Sequence, residues 1–265
     1  TLIGAVDERS GDRLAQLYRS VEAPIVRTDV KTAEMIKYVS NAFHALKITF
    51  ANEIGNLCKE VEIDSHRVMD IVCMDTRLNI SPAYLKPGYA FGGSCLPKDL
   101  RALLYKAKRE DVDLPMLRSI PRSNEEQVKR ALSMVLQTGR KRVGLIGLSF
   151  KPGTDDLRES PLVLLAESLL GKGYEVRIYD ENVFLARVVG ANKEYIERTI
   201  PHISSLMCET LEEVVDGSEV LVIGHRLPGL AERLPDLAEE RVVIDLARVR
   251  DELDGLGPSY QGICW

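Results

Sequence analysis

Residues 142–148 read Arg-Val-Gly-Leu-Ile-Gly-Leu, an apolar run typical of a strand that is buried on both faces of a sheet. Further strand patterns follow at about 175–179, 219–223 and 241–245, and helical stretches separate them. Strands that alternate with helices predict a parallel, doubly wound sheet. We therefore expect an α/β, Rossmann-like domain over residues 140–265.

The region before residue 140 has the pattern of helices. From about Lys31 to Glu60, apolar residues recur every three or four positions, which predicts one long helix with an apolar face. This face contains Ile36, Val39, Phe43, Leu46, Phe50, Ile54 and Leu57. Further helices are expected at about 65–74, 97–109 and 115–138. Residues 30–139 are therefore predicted to form an all-helical central domain.

The length of the predicted helix suggests an assembly. A helix this long often bridges domains or packs against a second chain. Small residues would let an equivalent helix approach closely, and the helix contains Ala42, Ala45, Ala51 and Gly55. We therefore expect a homodimer or higher homo-oligomer that forms through the central region.

Composition narrows the class of protein. The 265 residues are 45% hydrophobic and carry a formal net charge of -5, which argues against nucleic acid or a membrane as the main partner. No apolar run reaches the ~18 residues that span a bilayer, and no secretory signal is visible. The five cysteines are scattered, without Cys-x-x-Cys or His-rich spacing, so we expect free thiols in the cytoplasm and no metal site.

One cysteine stands in a distinctive context, Phe-Gly-Gly-Ser-Cys-Leu-Pro-Lys-Asp at residues 91–99. Pro97 favours a helix start, so Cys95 should precede a helix N-terminus, where the helix dipole and Lys98 favour the thiolate. Gly92 would let the backbone approach a bound group. Asp99 could reach the same side, and a thiolate beside a carboxylate suits covalent catalysis followed by hydrolysis. The alternative is a buried cysteine in a turn.

These residues resemble the active-site motif of the sugar-nucleotide dehydrogenases that oxidise UDP-glucose or GDP-mannose to the uronic acid. The resemblance continues at Lys37–Phe43 and Ser149–Pro161 and covers essentially the whole chain. It implies an NAD-dependent, four-electron oxidation through a cysteine thioester. The intervening residues favour GDP-mannose, the precursor in alginate (exopolysaccharide) synthesis, with UDP-glucose as the alternative substrate. A non-catalytic sugar-nucleotide-binding or dimerisation module is the alternative from another class.

The resemblance also assigns roles on the long helix. Lys37 and Asn41 match a lysine and an asparagine that donate hydrogen bonds in the family's active site, and with Cys95 and Asp99 they would form the catalytic set. Ammonium and amide donors suit an oxygen that becomes negative during the reaction. Lys37 and Asn41 belong to a polar stripe of the helix that also contains His44 and Asn52. By pattern alone, this stripe could equally be a solvated helix face. His44 and Asn52 on the same stripe are weaker candidates for substrate contact.

The segment 150–161 follows the first strand of the predicted sheet, and ligands bind at the carboxyl ends of such strands. Two cations, Lys151 and Arg158, and a helix start at Ser160 would suit a pyrophosphate. A capped surface loop with internally paired cations is the alternative. The resemblance assigns Lys151 to the sugar nucleotide in a nucleotide-binding carboxy-terminal domain, and Arg158, with Lys98, to the cofactor NAD.

The loop before the cysteine supplies further candidates for the substrate site. These are Tyr84, Lys86, Tyr89, Phe91 and Gly92. Aromatic side chains there could equally serve loop packing, and the sequence does not separate the two roles.

Residues 1–29 predict only two strands and a helix from Arg9 to Val21, and these cannot make a covered parallel sheet. We expect them to be the tail of a truncated NAD-binding Rossmann domain. No Gly-x-Gly-x-x-Gly motif occurs in the sequence, and Gly144 and Gly147 have the wrong spacing for one. The chain is therefore expected to be inactive by itself.

Overall fold

The computed structural model describes residues 1–60, 62–76, 86–109, 111, 114–183, 201–252 and 255–265. Its α-helices are α1 (Glu8–Leu17), α2 (Val30–Glu60), α3 (Ser65–Met74), α4 (Leu96–Arg109), α5 (Pro115–Gln137), α6 (Pro161–Leu170), α7 (Leu211–Asp216) and α8 (Leu230–Glu240). Its strands are β1 (Leu2–Gly4), β2 (Val26–Thr28), β3 (Arg142–Ile146), β4 (Glu175–Tyr179), β5 (Val220–Ile223), β6 (Val242–Asp245) and β7 (Tyr260–Gly262). A 3₁₀ helix spans Pro201–Leu206.

The larger sheet has the order β4-β3-β5-β6-β7, and every described pair in it is parallel. The chain leaves β3 towards β4 on one side and returns to β5 on the other. This reversal opens a crevice at the carboxyl ends of β3 and β5, where ligands bind in such sheets. The predicted α/β, doubly wound fold is confirmed. The edge strand β7 was not predicted, because three residues are too few to show a period.

Alternate residues of each strand enter two apolar cores. Val220 and Val222 of β5 face the core beneath α5 and α6, while Leu221 and Ile223 face the core beneath α7 and α8. All four side chains are fully buried. Burial on both faces explains why these strands appear in the sequence as continuous apolar runs.

The central helices pack around α2, which contacts α3, α4 and α5. The predicted long helix therefore exists, but its small residues do not lie on an open face. Ala42 and Ala45 are buried against Leu100 and Ile120 of the neighbouring helices. The expectation that these alanines receive a second chain is wrong, since their small size lets helices of the same chain approach.

Four of the seven residues in the apolar stripe of α2 face outward instead, whereas Leu46 packs against the core of the central helices. Ile36, Val39, Phe43 and Phe50 are exposed by 42%, 53%, 38% and 50%. Two other members of the predicted stripe, Ile54 and Leu57, have side chains outside the described residues. No helix within the described part of the chain has the length and apolar character needed to cross a membrane.

The first residues form a small separate sheet. Strands β1 and β2 pair in parallel, with Leu2 opposite Val26, and β1 packs on α2. Helix α1 was predicted to continue to about Val21 but ends at Leu17. Leu17 and Val21 are both exposed, so no buried face favours another helical turn.

Candidate active site

Cys95 immediately precedes α4, as the sequence predicted. Its carbonyl oxygen accepts a hydrogen bond of 2.9 Å from the backbone N–H of Asp99, which closes the first turn of the helix. The thiol is exposed, whereas Cys58 and Cys264 are buried. Cys95 is therefore accessible to a reactant, and the alternative of a buried packing cysteine is wrong.

Asp99 is the centre of a charged cluster and has no solvent exposure. The Asn41 amide Nδ2 donates to its Oδ2, and the Lys37 Nζ lies 3.4 Å from the same oxygen. The Lys98 Nζ lies 3.5 Å from Oδ1. Burial by itself would raise the pKa of Asp99, but the hydrogen bonds from Asn41 and Lys37 and the nearby lysine charges outweigh it and hold that pKa below its usual value. Asp99 is therefore an anion at neutral pH.

The cluster joins two elements that the sequence separates by about sixty residues. Lys37 and Asn41 are one helical turn apart on α2, so both side chains point at the same place. Asp99 lies in the first turn of α4, one turn after Cys95. The structure therefore brings together Lys37, Asn41 and Asp99, next to the start of the helix that bears the thiol.

The β3–α6 loop, residues 147–160, is stiffened by its own hydrogen bonds. The Ser160 hydroxyl donates to the Leu148 carbonyl at 2.6 Å and accepts from the Leu162 N–H, which caps α6. Arg158 forms two hydrogen bonds to Asp156, at 2.8 and 2.6 Å. Arg158 is thus paired within its own loop, as expected if the segment is a capped surface loop. The other cation, Lys151, is exposed.

Arg158 also lies within electrostatic range of the cysteine. The hydrogen bond to Asp156 raises the pKa of Arg158 most, and the negative charge of a Cys95 thiolate acts in the same direction. A guanidinium in this position attracts an anionic group that binds beside Cys95.

The loop before α4, residues 86–95, is called the cysteine loop. Two of its glycines allow it to pack closely against the β3–α6 loop. A Cβ added at Gly92 would lie 2.2 Å from the Glu159 carbonyl oxygen and 2.6 Å from Pro161 Cδ. Gly93 has a φ of +83° and sits under the Phe150 ring, 2.7 Å from where its Cβ would be. The close approach that Gly92 permits is thus to the protein's own backbone. Whether it also contacts substrate stays a prediction.

An ion pair crosses the same junction. The Arg101 guanidinium of α4 donates to both carboxylate oxygens of Glu159, at 2.8 and 2.5 Å. Glu159 has a φ of 51°, in the left-handed region that favours glycine. The Glu159 carboxylate therefore pairs with the helix that follows the cysteine and not with a cation of its own loop.

Several candidates for substrate contact have partners inside the protein. Asn52 accepts from the Gly88 N–H at 2.8 Å and donates to the Tyr89 carbonyl at 3.2 Å. The Tyr89 hydroxyl donates to the Pro161 carbonyl at 3.0 Å. Lys86 pairs with Asp70 on α3. These contacts fix the course of the loop, and a substrate role for Asn52, Tyr89 and Lys86 stays a prediction.

The remaining substrate candidates are placed differently. Phe91 is buried in the core between α2, α4 and α5. His44 is half-buried on α2, and Tyr84 lies outside the described residues. A substrate role for each of them stays a prediction.

The sequence analysis did not identify Asn124, which binds the backbone of the cysteine loop. The Asn124 amide accepts from the Phe91 N–H and donates to the Phe91 carbonyl, both at 2.9 Å. Asparagine is a weak helix former, yet Asn124 lies inside α5, and this mismatch was the available signal.

Two further residues, at the carboxyl ends of β4 and β5, were not among the predicted site residues. Asp180 follows β4, and its Oδ2 accepts from the N–H groups of Leu148 and Ser149 at 2.7 and 3.0 Å. His225 follows β5, and its Nε2 lies 2.9 Å from the Ser149 carbonyl oxygen. Both side chains help to hold the β3–α6 loop.

The described residues could contact a dinucleotide cofactor only near Cys95. Lys98 and Arg158 are half-exposed cations beside Cys95, which suits an anionic group of a dinucleotide. The glycine-rich turn that cradles a dinucleotide pyrophosphate is absent from the sequence. Among the described residues, no group of three or more His, Cys, Asp or Glu side chains could hold a metal ion.

Comparison of the sequence with known protein families gives two matches. The model of the UDP-glucose/GDP-mannose dehydrogenase family, central domain, matches residues 31–126, and that of the family's UDP binding domain matches residues 144–252. GDP-mannose 6-dehydrogenase of Pseudomonas aeruginosa is 52% identical over 265 residues, which is 100% of this chain and 60% of that protein. The chain thus spans less than two thirds of the length of this relative.

Two solved structures are similar over 100% of the chain. A ternary complex of GDP-mannose dehydrogenase from Pseudomonas aeruginosa has a TM-score of 0.66, with 52% identity and 60% of its chain covered. UDP-glucose dehydrogenase from the archaeon Pyrobaculum islandicum has a TM-score of 0.84, with 31% identity and 58% covered. Because both family models match in chain order, and the cysteine motif falls within the first of them, the chain belongs to the UDP-glucose/GDP-mannose dehydrogenase family.

Proposed function

We propose that this chain carries the thiol and substrate machinery of a GDP-mannose 6-dehydrogenase, which oxidises GDP-mannose to GDP-mannuronate by removing four electrons. The observation that carries this proposal is the exposed Cys95 at the start of α4, one turn from the buried Asp99 and its partners Lys37 and Asn41. The 52% identity to a GDP-mannose 6-dehydrogenase, against 31% to a UDP-glucose dehydrogenase, favours the GDP-mannose substrate. A supply of uronic acid for alginate is the corresponding role.

In the proposed reaction, the C6 primary alcohol first loses two electrons and two protons to become an aldehyde. The Cys95 thiolate adds to the aldehyde carbon, and protonation of the oxygen gives a thiohemiacetal. Loss of two more electrons and two protons converts it to a thioester. Water then adds to the thioester carbon, and the C–S bond breaks to release the carboxylic acid and the thiol. The covalent link lets one site perform both oxidations without releasing the aldehyde.

The Lys37–Asn41–Asp99 cluster stabilises charge on the C6 oxygen in this proposal. Lys37 and Asn41 are hydrogen-bond donors, and Asp99 fixes both of them on one side of α2. Preorganised donors of this kind stabilise an oxyanion. An anion with a lowered pKa is a weak base, so we assign Asp99 first to orienting these donors and second to orienting the hydrolytic water.

The hydride acceptor is proposed to be NAD, which accepts two electrons with each hydride when bound. Arg158 and Lys98 would contact an anionic group of it beside Cys95. The described residues supply no further part of a dinucleotide site, so the oxidations require a protein that holds NAD by other residues as well.

The sugar nucleotide is proposed to bind at the crevice between β3 and β5. Lys151 is exposed on the β3–α6 loop, and the capped start of α6 lies in the same loop. A lysine and a helix N-terminus suit a pyrophosphate. This assignment belongs to a proposed division of the chain into residues 1–29, 30–139 and 140–265, the last of which would bind the nucleotide.

We further propose a homodimer or higher homo-oligomer through α2. The exposed apolar stripe supports it, with Ile36, Val39, Phe43 and Phe50 on one face. A cytoplasmic location is supported by the five cysteines, none of which forms a disulfide bond in the described part of the chain.

The test uses a full-length protein that contains this chain. With NAD, GDP-mannose should yield two NADH per molecule, and UDP-glucose should react at least about tenfold more slowly per unit concentration. The reverse preference would support a UDP-glucose 6-dehydrogenase. Binding of GDP-mannose without any NADH formation would support the non-catalytic module.

A further inference from the structure

His225 lies next to the carboxyl ends of β3 and β5 and is 4% exposed. It follows β5 by two residues, and its ring reaches across to the loop that follows β3. A carbonyl oxygen can only accept, so the imidazole Nε2 carries the hydrogen and donates it to the Ser149 carbonyl. The ring therefore connects the ends of the two strands that bound the crevice.

The Ser149 peptide is held on both sides by buried side chains. His225 binds its carbonyl oxygen, while Asp180, also buried, accepts from its N–H at 3.0 Å. The backbone before it also fits the ring. Gly147 has a φ of +93°, and a Cβ there would lie 2.4 Å from the His225 ring. The loop thus starts from a point that is fixed by Asp180 and His225, which follow β4 and β5.

The two residues after Ser149 connect this fixed peptide to the proposed active site. Phe150 covers Gly93, two residues before Cys95. Lys151 is the proposed ligand of the substrate pyrophosphate. The fixed point at Ser149 therefore lies directly before one residue that packs on the cysteine loop and one that would bind substrate.

We propose that His225 is a positioning residue for the reaction. Its hydrogen bond to Ser149 sets the β3–α6 loop so that Lys151 meets the nucleotide while Phe150 holds the cysteine loop in place. The nucleotide part rests on the proposed function, whereas the contact between Phe150 and Gly93 does not.

The test compares His225→Leu, which removes the N–H donor, with His225→Gln, which retains one at a similar reach. The control is Ser218→Ala, because Ser218 is also buried, makes one hydrogen bond to the Val214 carbonyl, and lies before the other end of β5. Binding of GDP-mannose is measured by calorimetry and alkylation of Cys95 by iodoacetamide, each on protein whose melting temperature is recorded.

We expect His225→Leu to weaken GDP-mannose binding about tenfold and to change the Cys95 alkylation rate at least about threefold. His225→Gln should restore both within about twofold, and Ser218→Ala should leave both unchanged although its melting temperature falls. Equal effects of His225→Leu and Ser218→Ala on binding and alkylation would overturn the positioning role. If the unsubstituted protein binds no GDP-mannose, the proposed substrate fails, and the alkylation rates still decide the role of His225.

Discussion

Gly92→Ala tests whether the cysteine loop is docked on the carboxy-terminal domain. The added Cβ would lie 2.2 Å from the Glu159 carbonyl oxygen and 2.6 Å from Pro161 Cδ, both of which belong to the backbone or to a proline ring. An ordinary contact needs roughly 3.4 Å or more, so the loop must move by about 1 Å or the junction must open. Such overpacking costs about 1–3 kcal/mol.

The expected readouts are a lower melting temperature and a changed alkylation rate of the Cys95 thiol. At about 2–4 °C per kcal/mol for a domain of this size, Gly92→Ala should melt roughly 2–12 °C lower. Displacement of the loop should also change the alkylation rate of Cys95, three residues away.

Gly88→Ala is the matched control, because it lies in the same loop and its Cβ would meet only the Leu246 carbonyl oxygen, at 3.9 Å. It should be neutral or slightly stabilising, by less than about 1 kcal/mol. If Gly92→Ala and Gly88→Ala melt at the same temperature and alkylate at the same rate, the docking of the two loops is refuted.

Three further substitutions test separate parts of the account. Asp99→Asn should slow hydrolysis of the acyl-enzyme at least about tenfold, so that labelled substrate accumulates on the full-length protein; unchanged turnover would make this carboxylate purely structural. Burial, followed by the Arg248 charge, lowers the pKa of His66 from 6.5 to about 4, so between these pH values only the unfolded chain takes up the proton and stability falls with falling pH. From pH 7 to 4.5 this removes about 2–3 kcal/mol, and His66→Phe should reduce the loss measured by urea unfolding; equal losses in both proteins would contradict the assignment. Val39→Glu on the exposed stripe of α2 should give a monomer in sedimentation at micromolar concentration, and a parent chain that is itself monomeric would rule out this interface.

The sequence specified the long, strongly periodic elements better than their partners. The helix from about Lys31 to Glu60 was predicted almost to the residue, because its apolar period extends over about six turns, from Ile36 to Leu57. The same period could not tell which face would be covered. Ala42 and Ala45 turned out to be inside, and four of the larger apolar side chains outside, because α4 and α5 come from distant parts of the sequence.

The candidate site divides in the same way. Cys95 was found from local signals, the glycines before it and the proline after it. Its connection to Lys37 and Asn41 came from a family resemblance, since no local pattern links α2 to α4. Asn124 and His225 were missed because their partners are backbone groups of remote loops, and a backbone carbonyl leaves no trace in the sequence.

The central claim is that Cys95 carries the substrate as a thioester. The most direct measurement is mass spectrometry of acid-quenched full-length protein during turnover of GDP-mannose with NAD. The account predicts an adduct on the Cys95 peptide with the mass of GDP-mannose less four hydrogens, more abundant in Asp99→Asn and absent in Cys95→Ser, which should also form no uronic acid. Uronic acid formation by Cys95→Ser at the parent rate, with no adduct on the parent protein, would contradict it.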